Sequence, residues 1–210
     1  VEPIQGEAGI VLPPAGYLKR LREITERHHS LLICDEIQSG LGRTGKMFAY
    51  EHEGIRPDVV IVGKALSGGF YPVSGILADD PVMDVFHPGD HGSTYGGNPT
   101  AAAAGRAALR VLVEEKMVEN SAELGPYFMD RLREIDSKHV KEVRGKGLWI
   151  GIELHREAGG ARRFCEALQK EGLLCKETHD HVIRIAPPLV ILKEEIDWAL
   201  ERLKKVLTAA

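Results

Sequence analysis

Apolar positions along this chain follow two rhythms. Short unbroken runs of four to six residues recur at Leu31-Leu32-Ile33-Cys34, at Val59-Val60-Ile61-Val62 (behind Asp58) and at Val73 to Ala78. Runs of that length, separated by helices or long loops, predict strands buried on both faces of an α/β sheet. The other rhythm is helical. Residues 15–29 set Leu18, Leu21 and Ile24 on one face with charges between them. Asn98-Pro99 predicts a helix running to about Glu114, with asparagine as N-cap and proline at the first helical position. Its opening stretch, Ala101 to Ala108, is rich in small residues, as in a helix packed closely on other elements. A further helix over 117–136 follows almost directly.

From Val140 the pattern changes. Two strands flank Gly145-Lys146-Gly147, a helix spans about 160–171, and short strands follow near 173–176 and 182–186. An amphipathic helix closes the chain at 193–207. This is the order of a small α+β domain, so the expected division is residues 1–116 in one domain and 117–210 in another. There are no internal repeats and no low-complexity tract.

Composition narrows the function classes. A chain of 210 residues that is 43% hydrophobic can bury a real core. A net charge of −4 offers no basic field for nucleic acid or an anionic membrane. No apolar run approaches the ~20 residues that span a bilayer, and no signal-peptide pattern opens the chain. The three cysteines, Cys34, Cys165 and Cys175, lack metal-type spacing and read as reduced residues of a cytoplasmic protein. The first methionine is Met47, and Val1 to Gly6 reads as the tail of a strand entering a loop. The chain is therefore expected to be a segment of something longer.

Two motifs point the wrong way. Gly40-Leu41-Gly42-Arg43-Thr44-Gly45 satisfies G-x-G-x-x-G and, with Lys46, nearly a P-loop. A dinucleotide fingerprint needs its first glycine at the turn leaving the strand and a long helix behind it. Here Asp35 to Ser39 intervene, and the position after Lys46 is Met47 rather than a magnesium-binding hydroxyl. The nine histidines include His28-His29 and His179-Asp180-His181, which offer no convergent ligand set, so no metal is expected.

Lys64 is the residue on which the chemistry turns. It follows the apolar run Val59 to Val62 and Gly63, and precedes Ala65-Leu66-Ser67-Gly68-Gly69. A lysine at the mouth of a buried strand can lose part of its hydration, which frees its amine for Schiff-base chemistry. Asp35 ends the preceding strand. Ligands of open α/β sheets sit at the carboxyl ends of strands, so both side chains can reach one crevice. An amine and a carboxylate so placed suit pyridoxal phosphate, with the carboxylate keeping the pyridine nitrogen protonated.

With these residues in view, the chain resembles the class III, fold-type I aminotransferases, and among them the ornithine aminotransferases most. The likeness rests on Val1-Glu2-Pro3-Ile4-Gln5-Gly6-Glu7, Asp35-Glu36-Ile37-Gln38, Gly63 to Gly69 and His91-Gly92-Ser93-Thr94-Tyr95-Gly96-Gly97-Asn98-Pro99. It continues through Val143-Arg144-Gly145-Lys146-Gly147-Leu148 and Ile183 to Leu189, in order and over nearly the whole chain. The resemblance implies the C-terminal part of a PLP-binding large domain, with a mostly parallel sheet and flanking helices, plus a small α+β domain.

The resemblance also implies roles. Lys64 carries the cofactor and shuttles a proton. Asp35 pairs with the pyridinium nitrogen, and Gln38 hydrogen-bonds the ring hydroxyl oxygen. Thr94, with Ser93 as helper, reaches the cofactor phosphate of the neighbouring subunit in a homodimer; read by itself, Ser93-Thr94 is a polar turn before the Asn98 cap. Arg184 binds the α-carboxylate of 2-oxoglutarate or glutamate through its fork and pairs with Glu7 when the diamino acid is bound. Gly6 and Gly9 are expected to leave the Glu7 loop room to move. The implied reaction passes the terminal amino group of L-ornithine to 2-oxoglutarate. Phe70 to Ser74 and Cys175 to His179 favour ornithine over acetylornithine or 4-aminobutyrate. The other wall of the pocket belongs to an N-terminal part that is missing here, which leaves a second reading open: a catalytically silent half that binds a complementary chain.

Overall fold

The computed structural model describes residues 1–209, which form two compact units. The first comprises residues 1–3, 13–42 and 46–116; the second comprises 4–12, 43–45 and 117–209. The division is thus more than one cut near residue 117, because two short segments from the first 116 residues belong with the second unit.

The first unit holds helix α1 (Tyr17–Arg27), strands β1 (Ile33–Asp35), β2 (Val59–Val62) and β3 (Gly75–Ala78), a short helix α2 (Asp80–Met83) and helix α3 (Pro99–Glu114). The sheet order is β1-β2-β3, with β1 and β2 parallel and β3 antiparallel to β2. Parallel pairing is therefore confined here to β1 and β2. Helix α1 has no cap from its own start. Instead the Glu53 carboxylate accepts the Gly16 and Lys19 N–H groups at 3.1 and 3.0 Å, placing negative charge at the positive helix end. Asp58 joins α1 to the sheet by accepting from the Leu32 N–H and the Arg22 guanidinium, each at 2.7 Å. Helix α3 is capped by Asn98, whose Oδ1 accepts the Ala101 N–H at 2.9 Å, with Pro99 next. Ile76 and Leu77 of β3 are both exposed, so neither face of that strand is covered by the described residues.

The second unit is a four-stranded antiparallel sheet with three helices. Its elements are α4 (Met117–Arg133), β4 (Val140–Lys146), β5 (Trp149–Leu154), α5 (Arg162–Lys170), β6 (Lys176–Thr178), β7 (Val182–Ile185) and α6 (Lys193–Thr208), with strand order β4-β5-β7-β6. Alternation decides which side chain goes where. Ile150, Ile152 and Leu154 of β5 and Ile183 of β7 enter the core with Phe128, Leu132, Phe164, Leu168, Ile196 and Leu203 of the helices. Trp149 packs instead with Ile4 and Ile10 of the segment 4–12. Gly147 turns β4 into β5 at φ +56; any side chain there would overlap the Thr44 carbonyl, and this close approach is what requires glycine.

Candidate functional site

In the first unit, Asp35 stands opposite Ile61 at the carboxyl end of the parallel pair, and Lys64 follows at the exit of β2. Asp35 is half-buried, and its Oδ1 accepts the Ile37 N–H at 3.0 Å. Lys64 adopts φ +43, the left-handed region, which costs a non-glycine residue about 1–2 kcal/mol. It opens a 3-10 turn, Lys64–Ser67, closed by Gly68 at φ +65. Helix α3 packs on this turn: a Cβ on Gly105 would stand in ordinary van der Waals contact, 3.5 Å from the Leu66 carbonyl oxygen. The buried Ser67 Oγ then accepts the Tyr71 N–H at 3.2 Å.

The Lys64 side chain itself is exposed, so the described residues do not strip its water as the strand-mouth position led one to expect. It lines an open cavity of about 710 Å³ with Tyr71, Ser74, Ser93, Tyr95, Gly96, Gly97 and Asn98 among others. Asp35, Gln38 and Thr94 are not among the lining residues. Gln38 is half-buried beyond β1, and Thr94 is exposed before α3. Ser93 spends its Oγ on the local turn, accepting the Gly96 N–H at 3.0 Å. The donor set suits a pyridoxal phosphate in kind: an amine and a carboxylate from neighbouring parallel strands, with hydroxyl-bearing residues and glycines lining the same cavity as the amine.

In the second unit, Arg184 of β7 donates to Glu7 Oε1 at 3.0 Å. Arg184 is 22% exposed and Glu7 65%. The expectation that Gly6 and Gly9 leave this loop free is corrected by its anchoring. Residues 5 and 11 exchange N–H···O bonds of 3.0 Å, and Ile10, at φ +53, is fully buried against Trp149. The Arg144 guanidinium donates to the Gly9 and Ile10 carbonyls at 2.8–3.1 Å, and the Thr178 hydroxyl donates to the Glu7 carbonyl at 2.9 Å. Arg144 and Thr178 both lie in stretches that carry the family resemblance, but the sequence assigned neither of them a bond to residues 7–10. Nothing near either residue signals a bond to a segment more than 130 positions away.

The glycine-rich stretch Gly40 to Gly45 forms successive turns followed by the 3-10 turn Ala49–Glu53, and no long helix starts there. Within it, Arg43 donates through Nη1 to the Leu148 and Pro187 carbonyls at 3.1 and 2.6 Å, and burial pulls its pKa down to about 10. Glu36, next to Asp35, is 1% exposed, and burial raises its pKa although Ser39 Oγ and the Tyr50 N–H donate to it at 2.6 and 2.9 Å. It is a structural acid. Among the described residues, no three His, Cys, Asp or Glu side chains gather as they would around a metal ion.

Comparison with known proteins bears on the whole of this arrangement. The profile of aminotransferase class III matches residues 1–207. The ornithine aminotransferase of Exiguobacterium sp. (strain ATCC BAA-1283 / AT1b) is 60% identical over 210 residues, covering 100% of this chain and 52% of that protein. The solved ornithine aminotransferase from Plasmodium yoelii superposes with a TM-score of 0.96 at 47% identity, covering 99% of this chain and 55% of that one. The acetylornithine aminotransferase from Elizabethkingia anophelis gives 0.95 at 45% identity, with 99% and 55% coverage. The chain spans about half the length of the curated relatives it matches. Its mixed α/β fold is that of these enzymes' matching portions, and the chain belongs to the class III aminotransferase family.

Proposed function

We propose that this chain forms part of a pyridoxal-phosphate-dependent aminotransferase that moves the terminal amino group of L-ornithine to 2-oxoglutarate, giving glutamate 5-semialdehyde and glutamate. The observation that supports this reading most is the exit of Asp35 and Lys64 at the carboxyl ends of adjacent parallel strands. When bound, pyridoxal phosphate supplies an aldehyde that takes up amines and a ring that takes up an electron pair. Lys64 holds the cofactor between turnovers and moves the proton at the reacting carbon. Asp35 keeps the ring nitrogen protonated, and Gln38 donates to the ring hydroxyl oxygen. Thr94, with Ser93 beside it, serves the phosphate of the neighbouring subunit in a homodimer. Arg184 receives the α-carboxylate of 2-oxoglutarate, and Glu7 occupies Arg184 during the ornithine half-reaction.

Lys64→Ala in the full polypeptide tests this. The variant keeps the wild-type circular dichroism spectrum but loses both turnover and the cofactor absorbance near ~420 nm. Wild-type turnover in that variant overturns the assignment. A second reading, with N-acetylornithine as the amine, is favoured by the match to the Elizabethkingia enzyme, which is nearly as good as those to ornithine aminotransferases. Initial rates with L-ornithine, N-acetylornithine and 4-aminobutyrate separate the substrate readings.

A further inference from the structure

The Glu7–Arg184 pair joins an exposed side chain to a backbone hydrogen-bonded at several points. Glu7 is 65% exposed and reaches Arg184 through one bond of 3.0 Å. Its own carbonyl accepts from Thr178 Oγ1 at 2.9 Å, and Thr178 is only 5% exposed. Two residues on, the Arg144 guanidinium holds Gly9 and Ile10 from Nε and Nη2, while its Nη1 is held by Glu142 and Glu153. Side-chain exposure of Arg144 is 14%. Gly9, at φ +107, leaves no slack either, since a Cβ there would stand 3.0 Å from Val182 Cγ2 and 3.2 Å from Arg144 Nη2.

We infer that Thr178 and Arg144 are positioning residues of the Glu7–Arg184 switch: they fix the backbone of residues 6–10, so that Arg184 is released by rotation of the Glu7 side chain alone. This rests on the reading of Arg184 as the carboxylate receptor. The physical reason is one of entropy. A carboxylate ligand competing for Arg184 has to displace a single tethered carboxylate, and that competition is well defined only if Glu7 starts from a fixed origin. A loop free to move would dilute Glu7 over many positions and weaken its hold on Arg184. Loss of the anchor therefore acts like partial loss of Glu7.

The test uses the full polypeptide loaded with cofactor and glutarate, a dicarboxylate that cannot be transaminated, with binding followed by calorimetry. Glu7→Gln is expected to raise glutarate affinity severalfold by freeing Arg184. Thr178→Val, which keeps the shape but removes the donor, is expected to shift affinity in the same direction, with faster amide exchange at residues 7–10. Thr178→Ser restores both. The double variant Glu7→Gln/Thr178→Val binds like Glu7→Gln alone. Should the valine variant fail to fold, Arg144→Lys retains the cation but not the two-carbonyl fork, and is expected to give the same shift. If Glu7→Gln leaves glutarate affinity unchanged, the carboxylate-receptor reading itself fails. If Glu7→Gln shifts it while Thr178→Val and Arg144→Lys do not, or add independently to it, the positioning role is refuted and the switch stands.

Discussion

Replacing Arg43 with methionine keeps the bulk of the side chain and removes the donor shared by the Leu148 and Pro187 carbonyls. Each buried acceptor left without a partner costs about 1–3 kcal/mol, so the two together set an upper bound of about 6 kcal/mol. The guanidinium is itself disfavoured by burial, as its depressed pKa of about 10 records, and relief of that penalty offsets part of the loss. A net destabilisation of about 2–4 kcal/mol is expected, a large share of the stability of a typical domain. Urea unfolding followed by tryptophan fluorescence, from Trp149 (3% exposed and adjacent to Leu148) and Trp198, both in the second unit, reports on the unit that contains these bonds. With a slope of about 2 kcal/mol per molar urea, the midpoint falls by about 1–2 M. Arg43→Lys, with one compact donor instead of a fork, is expected between the two. A midpoint within about 0.2 M of wild type refutes the reasoning, because it means that water or another donor reaches those carbonyls.

Asp58→Asn keeps the size of the side chain but loses the charge paired with Arg22. Burial opposes ionisation of Asp58, yet the Leu32 N–H and the Arg22 guanidinium outweigh it and hold the pKa below the usual carboxylate value. The wild-type advantage, about 1 kcal/mol for this partly exposed group, is therefore fully present at neutral pH. It disappears as pH falls below about 4 and through the folded-state pKa; thermal unfolding at pH 7 and pH 3 checks this, and an unchanged gap at both sinks it. Cys34 is fully buried, and burial, with Glu36 nearby, lifts its thiol to about 11. At pH 8 only about a thousandth of it is thiolate, so mass spectrometry is expected to find it unmodified by iodoacetamide until urea is added. Labelling at the unfolded rate in native buffer contradicts that. For Arg184→Lys, loss of the bidentate fork is expected to slow the 2-oxoglutarate half-reaction about 10–100-fold, and the ornithine half-reaction much less. Equal losses in single-turnover measurements of the two halves argue against the carboxylate role.

The parts of the fold that local chemistry determines were readable in the residues. The helix opened by Asn98-Pro99 was expected to run to Glu114 and does so, because cap, proline and small-residue face are all written within one segment. The run Val59 to Val62 is a strand, as its unbroken apolar character demanded. The strand expected at 173–176 instead occupies Lys176–Thr178, with Leu174 left exposed. Its register is set by pairing with β7 and by the bond from Thr178 to Glu7, partners that the apolar run does not encode. The same reason hid the anchoring of residues 6–10: two glycines beside an acid read as freedom, whereas Arg144 and Thr178 arrive from distant strands. Lys64 and Asp35 stood out because strand ends are local features. The exposure of Lys64 could not be read there, since burial depends on which chains lie across the crevice.

The left-handed backbone of Lys64 carries one more consequence. Folding by itself favours glycine or asparagine at φ +43, and either replacement is expected to leave the β2 exit more relaxed than the wild type. The Lys64→Gly protein is thus expected to exceed its parent in thermal stability. Under the role proposed for Lys64, stability screens applied to this chain select against its amine, and position 64 is the one to hold constant.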